Sequence, residues 1–262
     1  MKRTLLHTPP ADLPAELEQF TQGASIYNSS CSPEARVYFV DRGGGFYLKT
    51  CGAGTLKREA EMTSYFHRKE MGAEVLEYLS LEHADWMLTS AVRGEDCTYG
   101  QYLSDPKRLC DTLAQRLRWL HEMDFSDCPV QDRMGEYLSA VEKNHRTGEY
   151  DKSAFPDSFG YGSAEEAWDV FSSGRSAFRK DVLLHGDYCL PNVMLNDWQF
   201  SAFIDVGNGG VGDRHIDLFW GVWTLWFNLK TDRYAGRFLD AYGRDRVDTE
   251  MLRVVAAAEV FG

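Results

Sequence analysis

The most informative segment of the chain reads Leu184-His185-Gly186-Asp187-Tyr188-Cys189-Leu190-Pro191-Asn192, and after an apolar run it is followed by Phe203-Ile204-Asp205-Val206-Gly207. Three polar residues in it have a spacing that suggests chemistry: the carboxylate Asp187, the amide Asn192 and the carboxylate Asp205. Phosphoryl transfer needs one group that orients a hydroxyl and two that hold magnesium. The segment therefore predicts a phosphoryl-transfer site.

The residue types assign a role to each position. Magnesium prefers hard oxygen ligands and keeps substrate phosphates among them, so Asn192 and Asp205 are the candidate metal ligands. Asp187 then remains to accept or orient the proton of the attacking hydroxyl, as the candidate catalytic base. The alternative is that Asp187 lies in a simple turn, Asn192 is a cap and Asp205 ends a strand. The combined spacing favours the catalytic interpretation.

The residues between the two halves of the site predict a β-hairpin. Two short apolar runs, 193–195 and 200–204, flank the turn-forming pair Asn196-Asp197. Because a hairpin brings its two ends together, we expect Asn192 and Asp205 to lie side by side and to share one ion.

Composition narrows the class of protein. The chain has 262 residues, of which 44% are apolar and 13% aromatic, which predicts one large or two modest folded domains. Its 28 basic and 40 acidic residues give a net charge of −12, which argues against a nucleic-acid partner and favours a cationic small substrate. No leader-like or membrane-length apolar segment is present, so we expect a cytoplasmic protein without a membrane partner. The scattered cysteines suggest free thiols.

The hydrophobic pattern divides the chain into two parts. The first part predicts helices over 12–20 and 55–69 and strands over 35–40, 45–49, 74–80 and 85–91. A linker is expected at 92–94, which gives the domains 1–92 and 93–262. The second part predicts helices over 109–123, 133–144, 164–172, 216–229, 232–242 and 249–261. The polar stretch 146–164 contains glycine and proline and is a candidate lid.

A second pair of charged residues has a possible nucleotide role. Lys49 ends a predicted strand and Glu59 lies in the following helix. We expect an ion pair in which the lysine reaches nucleotide phosphates and the glutamate holds it. Two ordinary solvated side chains are the alternative. The small residues at 29–33 precede the first hairpin and could form a turn that approaches the same phosphates.

Taken together, these residues make the chain similar to the aminoglycoside phosphotransferase family, and most of all to its 3′-phosphotransferases of the kanamycin and neomycin kinase type. The resemblance covers nearly the whole length. It is carried by the segments 32–38, 46–49, 57–61, 117–121, 124–129, 184–192, 203–207 and 212–218. The combination of His-Gly-Asp, the asparagine of the same segment and Phe-Ile-Asp at this distance is a specific signature.

The resemblance implies a fold and a nucleotide site. The fold is α+β, bilobal and eukaryotic-protein-kinase-like, with an N-terminal lobe of a five-stranded antiparallel sheet and one main helix, and a mostly helical C-terminal lobe. ATP would bind between the lobes with Mg²⁺, and GTP remains possible. The implied roles are the catalytic base for Asp187, the metal ligands for Asn192 and Asp205, phosphate binding for Lys49 with its partner Glu59, adenine stacking for Tyr47, and a β-phosphate contact for Ser32.

The resemblance also implies acceptor-binding residues. Asp157 in the lid and Glu259 and Phe261 at the C-terminus would contact the acceptor. Two departures concern this side of the site. Asn208 stands where kanamycin kinases often have arginine. Residues that in those enzymes include an arginine and acidic side chains are replaced here by Trp223, Thr224, Phe227 and Asn228. The aromatic residues Trp223, Trp226 and Phe227 either belong to the core or face the substrate through cation–π contacts.

The expected function is ATP- and Mg²⁺-dependent phosphorylation of a hydroxyl of an aminoglycoside, with the 3′-hydroxyl preferred, conferring antibiotic resistance. The chain would act as a monomer or homodimer. One alternative keeps the kinase chemistry on another cationic antibiotic or an amino alcohol. Another is a nucleotide-binding protein without transferase activity. A protein-serine kinase is disfavoured because the segment between Asp205 and Asp217 is too short for an activation segment.

Overall fold

The computed structural model describes residues 3–30, 35–150 and 159–262. The chain forms two compact units, and each contains two separate stretches of sequence. The first unit comprises Met1–Asp96 and Val193–Gly207, and the second comprises Cys97–Asn192 and Asn208–Gly262. The domain limits 1–92 and 93–262 stay a prediction.

The elements of the described residues are as follows. The strands are β1 Thr4–Leu5, β2 Ser25–Asn28, β3 Arg36–Asp41, β4 Phe46–Gly52, β5 Val75–Ser80, β6 Ala84–Ser90, β7 Glu95–Asp96, β8 Val182–Leu184, β9 Val193–Asn196, β10 Gln199–Phe203 and β11 Gly210–Gly212. The helices are α1 Ala15–Thr21, α2 Lys57–Arg68, α3 Gly100–Leu103, α4 Pro106–His121, α5 Arg133–Thr147, α6 Ala164–Gly174, α7 Arg214–Leu229, α8 Ala235–Gly243 and α9 Thr249–Glu259.

The first unit is built on an antiparallel sheet with the strand order β1-β2-β3-β4-β6-β5. The two-residue strand β1, paired to β2, adds an edge to the five strands that the family resemblance implies. One face of the sheet carries a core that includes Leu17 of α1, Leu48 and Trp86. The other face carries Met87, which packs against Leu56 and Ala60 at the start of α2.

Strand register places the lysine of the first unit on the α2 face. Lys49 is opposite Met87 in the β4–β6 ladder, so their side chains point to the same side. Because side chains alternate along a strand, Tyr47 also lies on this face, whereas Leu48 points to the opposite core. Lys49 and Tyr47, two of the nucleotide residues suggested by the sequence, therefore share one side of the sheet.

The predicted hairpin is present, with a different turn. Asn196 pairs with Gln199, so the loop consists of Asp197 and Trp198 rather than Asn196-Asp197. Both loop residues have positive φ, 47° and 67°. Positive φ at both central positions is the geometry of a type I′ turn, which matches the twist of paired strands. The hairpin is held in the first unit by a hydrogen bond of 2.7 Å from the Phe203 amide to the Met71 carbonyl.

The second unit is mostly helical. Its main core joins α5, α6, α7 and α9 to the short strand β8, and includes Val141, Phe171, Val182, Ile216 and Val255. Strand β8 pairs with β11 in antiparallel register. This two-stranded ladder places the segments on either side of the hairpin next to each other within the second unit.

Several helix limits differ from those predicted, and for α4 a side-chain cap explains the difference. Helix α1 begins after Pro14 rather than at residue 12, and Asp12 instead pairs with Arg36 at 2.6 Å. Helix α4 begins at Pro106, because the Asp105 side chain caps it by accepting a hydrogen bond from the Arg108 amide. The short strands β2, β8 and β11 were not predicted individually, since three or four residues carry little periodicity. Across the described ranges, no helix combines the length and apolar character needed to cross a bilayer.

Candidate active site

Residues 185–192 follow β8 directly, and we call them the catalytic segment because they include the candidate base Asp187. A glycine shapes this segment. Gly186 has φ +84°, and a Cβ at this position would collide with the backbone carbonyl of Asn208. Both the left-handed conformation and the close approach therefore require glycine. The chain turns here, so that Asp187 follows the buried strand.

Asp187 and Asn192 contact each other within the second unit. The Asn192 amide nitrogen donates to Asp187 Oδ2 at 2.8 Å and to the Asp187 carbonyl at 3.0 Å. Asn192 is 7% exposed and ends a single 3₁₀ turn, Leu190–Asn192. Since the nitrogen is used, the Asn192 side-chain oxygen is the atom that can bind a cation. An amide oxygen next to a carboxylate fits a hard ion such as Mg²⁺.

A buried aspartate of α7, Asp217, fixes the backbone of the catalytic segment through hydrogen bonds. Asp217 of α7 is fully buried and accepts hydrogen bonds from the amides of His185 and Gly186, each at 2.8 Å. Its Oδ2 also lies 3.1 Å from Nε2 of His121. Burial lowers the pKa of His121, although Asp217 opposes this shift. Sequence reasoning missed both residues; the signal was a charged residue inside an apolar helix.

In the first unit, one lysine is shared by two carboxylates. Lys49 Nζ lies 2.8 Å from both carboxylate oxygens of Glu59 and 2.7 Å from Oδ1 of Asp205. Burial lowers the pKa of Lys49, but the charges of Asp205 and Glu59 outweigh it, and the pKa is raised. Burial also raises the pKa of Glu59, which Lys49 opposes and Asp205 reinforces. The lysine is therefore charged at neutral pH and placed by the expected glutamate.

Asp205 adopts the left-handed backbone conformation, which is uncommon outside glycine but which aspartate tolerates better than most residues. Its φ is 58°, in the left-handed region, and its side chain is 51% exposed. Residues other than glycine in this region cluster at functional sites. A carboxylate that remains accessible while held by Lys49 is a suitable hard ligand for a metal ion.

Tyr47, the residue expected to stack on adenine, is contacted by Arg3. Arg3 Nη2 donates to the Tyr47 hydroxyl at 2.7 Å, and its guanidinium lies 3.6 Å from the ring centroid of Phe39. The rings of Phe39 and Tyr47 are 5.2 Å apart. The contact between Arg3 and Tyr47 was also missed from the sequence, because it depends on β1 pairing with β2.

The acceptor-side residues at the C-terminus differ in accessibility. Glu259 is partly buried and accepts a hydrogen bond of 2.8 Å from the Tyr137 hydroxyl. Burial raises its pKa to about 7, against the effects of Tyr137, Trp220 and Arg133, and the charge of Asp187 adds to the rise. Phe261 is fully buried, with its ring 5.2 Å from that of His145. Its contact with an acceptor stays a prediction.

Three positions named in the sequence analysis remain: Ser32, Asp157 and Asn208. Ser32 and Asp157 lie outside the described residues. Asn208 contributes through its backbone, since its carbonyl accepts a hydrogen bond of 2.8 Å from Arg133 Nε.

The comparisons with known proteins agree with this geometry. A family model described as "Phosphotransferase enzyme family" matches residues 32–253. The chain is 49% identical over 249 residues to a probable aminoglycoside 3′-phosphotransferase of Lactococcus lactis subsp. lactis (strain IL1403), and 95% of each chain is covered. The chain belongs to the phosphotransferase enzyme family.

More distant phosphotransferases support the same assignment. An aminoglycoside 3′-phosphotransferase of Niallia circulans is 26% identical over 209 residues, with 79% of each chain covered. The crystal structure of an aminoglycoside-3′-phosphotransferase of type VIII matches with a TM-score of 0.76 at 25% identity, covering 92% of this chain and 94% of that one. The family resemblance, the α+β protein-kinase-like fold and the enzyme class, a phosphotransferase with an alcohol group as acceptor, are thereby confirmed.

Proposed function

We propose that this phosphotransferase transfers the γ-phosphoryl group of ATP to a hydroxyl of an aminoglycoside, with the 3′-hydroxyl preferred, and so confers antibiotic resistance. The observation that carries the proposal is the contact between Asp187 and the Asn192 amide, since it pairs a candidate base with a candidate metal ligand. The acceptor class is supported by the names of the relatives. It is also supported by the acidic balance of the chain and the carboxylate of Glu259.

Each residue has a defined task in the proposed reaction. Asp187 accepts the proton of the acceptor hydroxyl as that oxygen bonds to phosphorus and the bond to ADP breaks. Lys49 binds nucleotide phosphate, and Glu59 keeps it in position. Tyr47 stacks on the adenine ring. Asn192 and Asp205 would hold Mg²⁺, which neutralises the charge of the phosphates when it is bound.

The proposal is tested by measuring ADP release with a panel of kanamycin, neomycin, other cationic antibiotics and small amino alcohols. We expect saturable turnover with kanamycin or neomycin, and a raised resistance level when the chain is expressed in a susceptible bacterial host. Turnover with other compounds alone would instead assign a different acceptor. Binding of ATP without turnover of any compound would assign a nucleotide-binding protein. The same assay with GTP defines the nucleotide preference.

The role of Asp187 is tested by the substitution Asp187→Asn, which removes the proton acceptor at constant size. We expect turnover to fall by about 100- to 10,000-fold, while the Kd for ATP is retained. The matched control is Asp232→Asn, an exposed aspartate of the same unit. Normal turnover by the Asp187 variant would rule out the proposed base.

The metal role of Asp205 is tested separately. Replacement by asparagine removes a charge from the Mg²⁺ ligand set, so we expect a higher Mg²⁺ concentration for half-maximal activity. An unaltered Mg²⁺ dependence would contradict the assignment.

A further inference from the structure

A cavity of about 540 Å³ lies in the first unit, on the face of the sheet that carries the α1 core. It is lined by Thr50 of β4, by Trp86 of β6 and by Arg36 of β3. Thr50 is paired with both of the others in the ladders, so the three side chains form one row on the same side of the sheet. Asp12 borders the cavity at one end of this row, and residues 81–83, between β5 and β6, border it at the other. We call this space the sheet-end cavity.

The sheet-end cavity is separate from the residues assigned to nucleotide binding. Thr50 follows Lys49 directly in β4, and adjacent residues of a strand point to opposite faces of the sheet. Among the described residues that line the cavity, none has been assigned to the nucleotide, the metal ion or the acceptor. The proposed reaction therefore gives this space no task.

The wall of the cavity contains an unused hydroxyl group. Thr50 is 2% exposed, and its Oγ1 atom has no hydrogen-bond partner among the described residues. A buried polar atom without a partner destabilises the folded state, and valine would fill nearly the same space without this penalty. A polar atom of a bound molecule would give the hydroxyl its missing partner.

Arg36 supplies further hydrogen-bond donors next to this hydroxyl. Its Nη2 atom donates to Oδ2 of Asp12 at 2.6 Å. A guanidinium group has five N–H donors, so this contact leaves others for an acceptor oxygen of a ligand. The pair of Arg36 and Asp12 has no net charge, and Glu82 adds a negative charge at the rim. The donors therefore favour an oxygen acceptor, whereas the charge disfavours an anion.

The rest of the lining includes apolar side chains. Leu81 at the rim is 43% exposed, and it borders the same space as Ala84 and Trp86. Covering an exposed leucine side chain with an apolar group removes its surface from water, which is favourable. A ligand that fits this lining thus combines an acceptor oxygen with an apolar part.

Asp85 fixes the chain segments beside the cavity. Its carboxylate oxygens accept hydrogen bonds from the amides of Gly54 and Leu56, each at 3.0 Å. They also accept hydrogen bonds from the hydroxyls of Tyr78 at 3.0 Å and Ser80 at 2.8 Å. The loop after β4 and the end of β5 are therefore held together. A site that is formed in advance loses little conformational entropy when a ligand binds.

We propose that the sheet-end cavity binds an uncharged small molecule that has a carbonyl or amide oxygen and an apolar part. The oxygen accepts hydrogen bonds from the Thr50 hydroxyl and the Arg36 guanidinium, and the apolar part covers Leu81. Small-molecule sites enclose about 300–1,000 Å³, and this cavity lies within that range. The inference is independent of the proposed function, because it concerns neither nucleotide nor acceptor.

The first test compares two buried threonines of the first unit without any ligand. Thr50→Val removes the unpartnered hydroxyl, so we expect Tm to rise by about 2–4 °C. The matched control is Thr21→Val, because Thr21 is 6% exposed and its hydroxyl donates to the Glu18 carbonyl at 3.2 Å. This control should lower Tm. A lower Tm for Thr50→Val would show that the Thr50 hydroxyl is already bonded, for example to water, and would overturn the inference.

The second test measures binding with three probes that share one ring: benzamide, benzoate and benzylamine. Shifts of the Leu81 and Ala84 methyl signals in NMR spectra of the full chain give each Kd. We expect benzamide to bind most tightly, with a Kd of about 1–10 mM, which is ordinary for a molecule of this size. Thr50→Val should raise this Kd by about three- to tenfold, and Thr21→Val should leave it unchanged.

A further variant, Ala84→Phe, locates the bound molecule, because a larger side chain at the wall would fill the cavity. We expect the shift of the Leu81 signals by benzamide to be lost in this variant. Continued binding, or an unchanged Kd in Thr50→Val, would place the molecule elsewhere and overturn the inference. Tighter binding of benzoate or benzylamine, or no shift with about 50 mM benzamide, would overturn it as well. None of these outcomes alters the ADP-release assay that tests the proposed function.

Discussion

At the scale of single residues, the sharing of Lys49 between two carboxylates is the main feature of the first unit. Two negative charges and burial act on one ammonium, so the lysine stays charged while Glu59 becomes easier to protonate. A metal ion bound at Asp205 would replace part of this attraction. In the proposed reaction, Lys49 would then be free to bind nucleotide phosphate.

Glu259 gives a prediction about pH. Its pKa is raised to about 7, so the carboxyl group is neutral below that pH and charged above it. An ammonium group of the acceptor binds the charged form, and we expect the KM for kanamycin to fall as pH rises through about 7. Steady-state kinetics between about pH 6 and about pH 8 measure this.

The control for the pH prediction is Glu259→Gln, in which the KM should no longer change over the same interval. The raised pKa also affects folding. The native state holds an extra proton between the unfolded pKa, near 4.5, and about 7. Stability relative to this variant should therefore fall as pH rises through that window. A rise in stability over the same window would contradict the burial of the carboxyl group.

Residue type and spacing were enough to predict Asp187, Asn192, Lys49 and Glu59 as candidates, and the structure brings the members of each pair together. Their chemistry is local, because each pair belongs to a short segment or to adjacent elements. A charged residue inside an apolar helix was a signal for Asp217, but its partners could not be predicted, since they are far away in sequence and the contacts depend on how α7 packs. The hydrogen bond from Arg3 to Tyr47 could not be predicted for the same reason.

At the scale of elements, the ends of the long periodic helices were predicted to within a few residues. The remaining differences occur at helix caps and at the hairpin turn. Side-chain caps such as Asp105 set the helix starts, and the hairpin turn shifted by one residue because positive φ falls on Asp197 and Trp198. The short strands β8 and β11 exist because they pair with each other. A pairing partner cannot be inferred from three residues of sequence.

Helix α7 provides a prediction at this scale, because its Asp217 side chain accepts hydrogen bonds from the backbone of the catalytic segment. Asp217→Asn removes a buried charge that accepts two backbone hydrogen bonds. A hydrogen bond to a charged group contributes about 1.5–3 kcal/mol, so we expect a clear decrease in Tm. The kcat should fall as Asp187 loses its fixed position, with the KM for ATP nearly unchanged.

The matched variant for Asp217 is Asp181→Asn. Asp181 is a more exposed carboxylate that pairs with Arg214 at the start of the same helix. Exposed ion pairs contribute little, so this change should leave Tm and kcat close to those of the unaltered chain. Equal effects of the two substitutions would show that α7 does not position the segment through Asp217.

At the scale of the whole molecule, the charge of −12 gives a prediction about ionic strength. An acidic protein attracts a cationic acceptor over distances comparable to the Debye length, about 10 Å at 0.1 M salt. We expect the KM for neomycin to rise as salt is added, with a smaller change for kcat. A KM for neomycin that is independent of salt would exclude long-range attraction.

The discontinuity of the first unit has a consequence for how the chain is made. Residues 193–207 join this unit, yet they leave the ribosome only after the whole of Cys97–Asn192 has been synthesised. Until then the Met71 carbonyl lacks the Phe203 amide and strand β7 lacks β9. Closing such a long loop costs entropy that a local hairpin avoids. Nascent chains that stall before the hairpin should therefore be protease-sensitive, and a fragment ending at Asp96 is unsuitable as an isolated nucleotide-binding module.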